Sequence, residues 1–360
     1  MRFLFTFHGG PGHFEPLVPV ARALEAARHT VAFTTHPGMV PIVAARGFEA
    51  FATVAEDGGP RARKPLLEVS MEREFRDVRE KLAGGAGRRA DGILALGWRP
   101  DVIVRDETDF GAAIAAERLG LPWATVLVLA AGGLIRAQDA AEPLDVLRAE
   151  HGLPPDPELG ALDGDLVLSP FPPGLRAAGT ALRFTDVGHG DPDGPVYFTL
   201  GTEFNLECGD LFDRVLEGLR GFDAIVTVGR EIDPAELGPP PPGIRVERYI
   251  PQAAVLPHCR AVVSHGGSGT LLGALAHGLP MVLIPLGADQ PLNAARAEAL
   301  GAARMLDAVR ATPDDVREAV ETVLEEPGYR AAAERMRDEL AALPGVEQAV
   351  EPLTRLRGSR

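Results

Sequence analysis

The chain has 360 residues, 46% hydrophobic and 24% charged, an ordinary globular composition with enough length for two domains. A formal net charge of −15 argues against a nucleic-acid partner, since phosphate backbones need compensating cations, so any phosphate bound must be met locally. Two cysteines, Cys208 and Cys259, exclude a disulfide framework and a Cys-rich zinc site and fit a cytoplasmic protein.

The first apolar run, Arg2–Phe7, stops at His8-Gly9-Gly10. It is too short for a signal-peptide core or a membrane span and reads as a buried strand. A helix follows, with Leu17, Val20, Ala21 and Leu24 on one face and Pro16 and Pro19 at its start, where missing donors cost least. Thr30–Thr35 is the next expected strand. From Asp57 to Gly97 charges are dense and Gly84-Gly85-Ala86-Gly87 breaks the run, which suggests mobile surface helices and a loop. Asp101–Arg105 and Trp123–Leu129 are further strands, separated by a helix through Arg118. Short apolar strands alternating with helices indicate a parallel sheet covered on both faces.

The stretch Ser169–Pro195 is rich in Pro, Gly and Asp. It is the best domain boundary in the chain. It suggests a first domain over 1–187, a linker and hinge over 188–194, and a second domain over 195–342. Strands are expected at Val196–Leu200, Ala224–Val228, Ile244–Glu247, Ala261–Ser264 and Met281–Ile284. Helices are expected at Leu211–Leu219, Thr270–His277, Pro291–Leu300, Pro313–Glu325 and Tyr329–Leu340. The two halves therefore read as doubly wound α/β domains of similar size.

The strongest local signal is Ala261-Val262-Val263-Ser264-His265-Gly266-Gly267-Ser268-Gly269-Thr270, a strand running through a Gly-rich turn into a helix. Glycines let the backbone approach an anion, and free amides at a helix start point at it with the favourable end of the dipole. His265 adds a neutral donor or a positive charge. The turn suits a diphosphate; the plain alternative is a β-α turn with glycines for packing. Asp163-Gly164-Asp165 and Asp191-Pro192-Asp193 spell a metal motif but lie in turn-forming loops. Gly10-Pro11-Gly12 lacks the third glycine of the dinucleotide fingerprint, because Glu15 stands there. The remaining histidines show no metal-ligand spacing.

Taken together, Tyr249-Ile250-Pro251-Gln252, Leu256-Pro257-His258-Cys259, the His265–Thr270 turn, Gly278-Leu279-Pro280 and Asp289-Gln290-Pro291-Leu292-Asn293-Ala294 resemble the donor-binding region of family 1 glycosyltransferases, in particular the bacterial macrolide and antibiotic enzymes. Gly12-His13, Pro16 and Pro19 resemble the amino-terminal pattern. The resemblance implies a GT-B fold, two Rossmann-like domains facing a central cleft, with the segment 343–360 returning to the first domain. It implies that Tyr249 stacks on the base, that Ile250 and Gln252 meet the base and ribose, and that Thr202, His265, Gly267, Ser268, Gly269 and Thr270 hold the diphosphate. Asp289 and Gln290 would bind sugar hydroxyls. His13 would be the general base and Asp106 its carboxylate partner, with Glu107 and Asp109 as nearby rivals and Asp109 or Thr108 as the helix cap.

Many relatives that use UDP-sugars carry Glu where Gly273 stands here, to take the ribose hydroxyls. A dTDP-deoxysugar donor is therefore favoured over a UDP-sugar, the alternative being that Gly273 serves only packing. The expected function is metal-independent, inverting transfer to a hydroxyl of an apolar natural product such as a polyketide or macrolide. The acceptor would be received by the regions Asp57–Gly97 and Trp123–Leu134. No cofactor is expected, and the partners are the nucleotide-sugar and a small aglycone, with the chain a monomer or homodimer. The alternatives are a nucleotide-sugar 2-epimerase, which would act on donor without acceptor, and a non-catalytic helper protein, which would lack the base and its carboxylate.

Overall fold

The computed structural model describes residues 1–53, 64–202 and 204–358. The first sheet is built from β1 (Arg2–Thr6), β2 (Thr30–Thr35), β3 (Glu49–Ala52), β4 (Val102–Asp106), β5 (Trp123–Val126), β6 (Leu166–Ser169) and β7 (Thr180–Ala181). Its order is β3-β2-β1-β4-β5-β6-β7, with every pair parallel. The second sheet contains β8 (Val196–Thr199), β9 (Ala224–Thr227), β10 (Ile244–Glu247), β11 (Ala261–Ser264), β12 (Met281–Leu283) and β13 (Ala303–Met305). Its order is β10-β9-β8-β11-β12-β13, again all parallel.

Parallel strands need covering on both faces, and the sequence supplies this with continuous apolar runs. β4, β5, β8 and β11 are buried at every position. Phe5, Phe7, Phe14, Phe33 and Phe48 interlock beneath the first sheet, with ring centroids 4.9 to 6.5 Å apart. The strand order reverses between β1 and β4 in one sheet and between β8 and β11 in the other. Loops diverge at the carboxyl ends of such a pair and leave a crevice, so these are the two places where a ligand is expected.

The stretch expected to be loose at the surface is instead packed, as far as it is described; residues 54–63 lie outside the described residues. The helix Ala86–Leu94 lies against the helix Phe110–Leu119 closely enough that a Cβ on Gly111 would fall 2.4 Å from the Ala86 carbonyl. Arg89, on that helix, is buried in an ion pair with Asp109. The charges that suggested exposure are partly consumed inside the fold.

The segment 188–194 is not slack either. The Gly188 and Gly190 amides donate to the Ala276 and His277 carbonyls at 3.0 and 2.9 Å, and a Cβ on Gly194 would fall 2.0 Å from the His258 carbonyl. By its contacts the segment belongs to the second domain. At the end of the chain, Val346–Ala349 and Val350–Arg355 lie against the helix Val18–Ala26, and Ala349, Leu353 and Leu356 enter the phenylalanine core.

Candidate active site

The first crevice is organised by the turn after β1. Gly9 has φ +107°, and a Cβ there would sit 2.8 Å from Cδ2 of His13, so only glycine serves. Pro11 opens the short helix Pro11–Phe14 that carries His13. The His13 side chain is 30% exposed, and its Nδ1 lies 3.4 Å from Asp106 Oδ2 and 3.2 Å from Thr108 Oγ1.

Asp106 closes β4 and is wholly buried. Its Oδ2 accepts the His8 amide at 2.8 Å, while Oδ1 accepts the Thr108 hydroxyl at 2.6 Å, the Asp109 amide at 3.1 Å and the Thr108 amide. Burial alone would raise its pKa, but His13 and these donors outweigh burial and hold it at about 2. Asp106 is thus a fixed anion beside the histidine.

Its rivals are used elsewhere. Asp109 caps the helix Phe110–Leu119 through the Ala112 amide at 3.3 Å and takes Arg89 through both oxygens. Arg89 in turn donates to the Phe7 carbonyl at 2.7 Å, tying the end of β1 to this turn. Glu107 grips Arg176 at 2.9 and 2.8 Å and accepts the Val128 and Leu129 amides, both at 2.6 Å. His8, beside the Arg89 pair, has its pKa pushed down to about 4, by burial first and then by Arg89.

The second crevice lies after β11. Gly266 takes φ +82°, and the helix Ser268–Ala276 begins two residues later. Its first intrahelical bond is Leu271 N to the Gly267 carbonyl, 2.9 Å. The amides of Ser268, Gly269 and Thr270 precede that bond, and among the described residues none of them has an acceptor. A Cβ on Gly269 would meet nothing within 4 Å, so this first turn faces open space.

His265 is packed between two glycines. A Cβ on Gly201 would lie 2.7 Å from its ring and one on Gly267 2.5 Å. The ring is 7% exposed, and burial pushes its pKa down to about 4, opposed only in part by the Thr199 backbone. The geometry at Nδ1 leaves that atom without a hydrogen-bond partner among the described residues. Of the two roles left open by the sequence, burial favours a neutral ring over a positive charge.

Several side chains around this turn are engaged within the protein. The Ser268 hydroxyl donates to Asp289 Oδ2 at 2.6 Å and accepts from the Ala130 amide at 2.6 Å and from Asn293 Nδ2 at 3.2 Å. That hydroxyl is committed, which leaves the Ser268 amide for an anion. The Thr270 hydroxyl accepts from Gln252 Nε2 at 2.8 Å. Gln290 is 2% exposed with Oε1 on the Leu286 amide at 2.8 Å, so only its Nε2 remains for a sugar.

Tyr249 is 46% exposed, and Arg230 lies 4.3 Å from its ring centroid, covering one face. Ile250 packs half-buried on the second domain's core. Thr202 lies past the end of β8, next to Gly201, the glycine packed against the His265 ring. At Gly273 a Cβ would lie 2.9 Å from Leu256 Cδ1 and 3.7 Å from Gln252 Oε1. A side chain at this position would press on the end of Leu256, so packing contributes to this glycine. Leu127, Val128 and Leu129, expected to receive an acceptor, are 4, 4 and 7% exposed and form a wall, not an open surface.

Two residues escaped the sequence reading. Asn293 is fully buried and donates to the Gly266 carbonyl at 3.0 Å and to Asp289 at 2.7 Å, while its Oδ1 accepts the Ala131 amide at 2.9 Å. It stands four residues after Asp289 on one helix face, a spacing that signals contact. Glu74, from the first domain, accepts the Ala288 amide at 2.9 Å, next to Asp289. The bonds from Ala130 and Ala131 to Ser268 and Asn293 bring the carboxyl ends of the two sheets face to face.

Among the described residues no three His, Cys, Asp or Glu form a metal-holding group, and no helix is long and apolar enough to cross a membrane. Cys208 and Cys259 are buried and unbridged, and burial pushes the Cys259 thiol up to about 12.

Two facing parallel sheets, one with a carboxylate-backed histidine and the other with an anion-receptive helix start, form the frame of a GT-B glycosyltransferase. Residues 213–356 match the family model described as erythromycin biosynthesis protein CIII-like, C-terminal domain. The chain is 31% identical to 4'-demethylrebeccamycin synthase of Lentzea aerocolonigenes, over 97% of this chain and 98% of that one. It is 32% identical to elloramycin glycosyltransferase ElmGT of Streptomyces olivaceus, over 96% of this chain and 94% of that one. The solved glycosyltransferase VinC in complex with dTDP matches with a TM-score of 0.78 and 25% identity over 100% of both chains. The chain belongs to the bacterial macrolide and antibiotic glycosyltransferases, enzymes of the GT-B fold.

Proposed function

We propose that this glycosyltransferase moves a deoxysugar from a dTDP-linked donor to a hydroxyl of an apolar natural product, with inversion and without a metal. The observation that carries the reading is the trio of unpartnered amides at Ser268, Gly269 and Thr270, opening on free space at a switch point. These amides, the helix dipole and neutral His265 receive the diphosphate and stabilise the charge that grows as it leaves. Thr202 reaches the same group from the end of β8, and Gly267 lets His265 sit close. Tyr249 offers its uncovered face to the base, with Ile250 and Gln252 beside it. Asp289, and Gln290 through Nε2, meet the sugar.

On the opposite wall His13 removes the acceptor proton while the acceptor oxygen attacks C1 of the sugar, and Asp106 stabilises the imidazolium that forms. The crowding of Gly273 by Leu256 weakens the inference from the missing glutamate, so the dTDP preference leans on likeness to VinC, solved with dTDP, and to TDP-daunosamine transferase of Streptomyces peucetius, which is 28% identical over 99% of this chain. A thermal-shift panel of dTDP, UDP, GDP and ADP tests it. The largest rise in melting temperature is expected with dTDP; an equal or larger rise with UDP overturns the preference.

A further inference from the structure

Ala288, just before Asp289, takes φ +53°, a left-handed conformation that alanine rarely adopts. Such a residue persists only where its surroundings hold it. Its own domain holds the turn on either side: the Leu286 amide donates to Gln290 Oε1 at 2.8 Å, and the Gln290 amide to the Gly287 carbonyl at 3.2 Å. The Ala288 amide turns to the other domain. It donates to Glu74 Oε2 at 2.9 Å, and among the described residues it has no other acceptor.

Glu74 stands on the first-domain helix Met71–Asp77 and is 9% exposed. Its approach needs a glycine opposite: a Cβ on Gly287 would fall 3.3 Å from Glu74 Oε1 and 3.3 Å from Phe204 Cε1. Phe204 also lies beside His265, with ring centroids 6.4 Å apart, so the glutamate reaches into the second crevice. The reach is supported along its length. The Lys64 amide donates to the Leu206 carbonyl at 2.8 Å, its ammonium pairs with Glu207 at 2.6 Å, and Glu68 pairs with Arg310 at 3.0 Å. The first-domain segment 64–74 is thus laid along the second domain, with a buried carboxylate at its inner end.

We propose that Glu74 is a positioning residue for the donor sugar: by holding the Ala288 amide it fixes the turn that presents Asp289, so the first domain completes a sugar subsite carried by the second. This rests on the reading of Asp289 as a sugar-binding residue. Asp289 Oδ2 accepts the Ser268 hydroxyl at 2.6 Å and Asn293 Nδ2 at 2.7 Å, which leaves Oδ1 for a sugar hydroxyl. Those two bonds fix the carboxylate, and Glu74 fixes the backbone that carries it. Without Glu74, Ala288 can relax to negative φ, where alanine is at ease, and Asp289 moves with it. The amides of Ser268, Gly269 and Thr270 lie after a different strand, β11 instead of β12, so the hold on the diphosphate should not follow.

The test is calorimetric titration of the full chain with dTDP and with dTDP-glucose. Glu74→Ala should weaken dTDP-glucose severalfold and leave dTDP unchanged. Glu74→Gln, which can still accept from Ala288, should keep most of the lost affinity; a glutamine variant as weak as alanine overturns the hydrogen-bond role. A merely structural glutamate would lower melting temperature and weaken both ligands alike, or neither, and either result overturns the proposal. Hydrogen exchange in the wild type keeps it open to refutation should Glu74→Ala misfold: the Ala288 amide should be protected, and exchange at the rate of a free surface amide overturns it.

Asp289→Ala separates this from the reading it rests on. It too should weaken dTDP-glucose, and adding Glu74→Ala to it should cost little more, because the two residues act through one contact. Unchanged dTDP-glucose binding in Asp289→Ala sinks the sugar reading and the proposal with it. A loss in Asp289→Ala with none in Glu74→Ala, or losses that simply add, sinks the Glu74 role alone.

Discussion

The two crevices are built on the same plan and hold opposite kinds of histidine. Each follows a buried parallel strand at a switch point, turns through glycines and enters a helix. After β1 the histidine is partly exposed and backed by an anion that cannot be neutralised near pH 7. After β11 the histidine is buried between two glycines, has no carboxylate beside it among the described residues, and is favoured in its neutral form by burial. One arrangement favours taking up a proton; the other favours meeting an anion by hydrogen bonding. In the proposed function, what separates base from anion site is the group behind the ring, not the turn.

That contrast can be broken at several points. The largest effect is expected from His13→Ala, where transfer should fall by roughly 10²–10⁴-fold, the usual worth of a general base, while dTDP affinity stays near wild type. Steady-state rates beside calorimetric binding check this, and near-normal turnover would remove His13 from the role. Next comes pH. The folded-state pKa of His265 is depressed from 6.5 to about 4, so the unfolded chain binds a proton more readily between those values. Its contribution is intact above pH 6.5 and is lost progressively as pH falls towards 4, by up to about 3 kcal/mol. Urea unfolding from pH 7 to 4 should show that slope, flattened in a His265→Gln variant; an identical slope in the variant contradicts the burial argument.

His265→Ala should weaken dTDP binding about tenfold, the worth of one hydrogen bond to a charged group. The subtlest pair is at the helix start. Gly269→Ala meets no protein atom and should leave melting temperature unchanged, yet it places a methyl before the free amides and should weaken dTDP binding severalfold. Gly267→Ala collides with His265 at 2.5 Å and should lower melting temperature as well. If the two variants behave alike, the open space at Gly269 is not where the ligand sits.

Where the chain was legible, apolar runs met clear punctuation. Thr30–Thr35, Ile244–Glu247, Ala261–Ser264 and Pro313–Glu325 are found at the bounds expected from the sequence. Three of the strands that were missed, Glu49–Ala52, Thr180–Ala181 and Ala303–Met305, are sheet edges. An edge strand has one neighbour and needs less apolar surface, so it carries a weaker pattern. Leu166–Ser169 was hidden beside a run of turn residues. The packed helices before Gly97 look exposed in the sequence because nothing local tells that Arg89 will meet Asp109, twenty residues on, in the interior. The site shows the same division. His13, Asp106 and the His265 turn stood out because strand, glycine and helix are adjacent in sequence. The engagement of Ser268 with Ala130 and of Glu74 with Ala288 depends on how two domains meet, and no periodicity records that.

Whether backbone amides carry the donor's diphosphate is tested most directly by calorimetric titration of dTDP in excess EDTA. Binding should be as tight with chelator as with added magnesium, and weaker in Gly269→Ala under both conditions. Loss of dTDP binding in EDTA, recovered by magnesium, would contradict it.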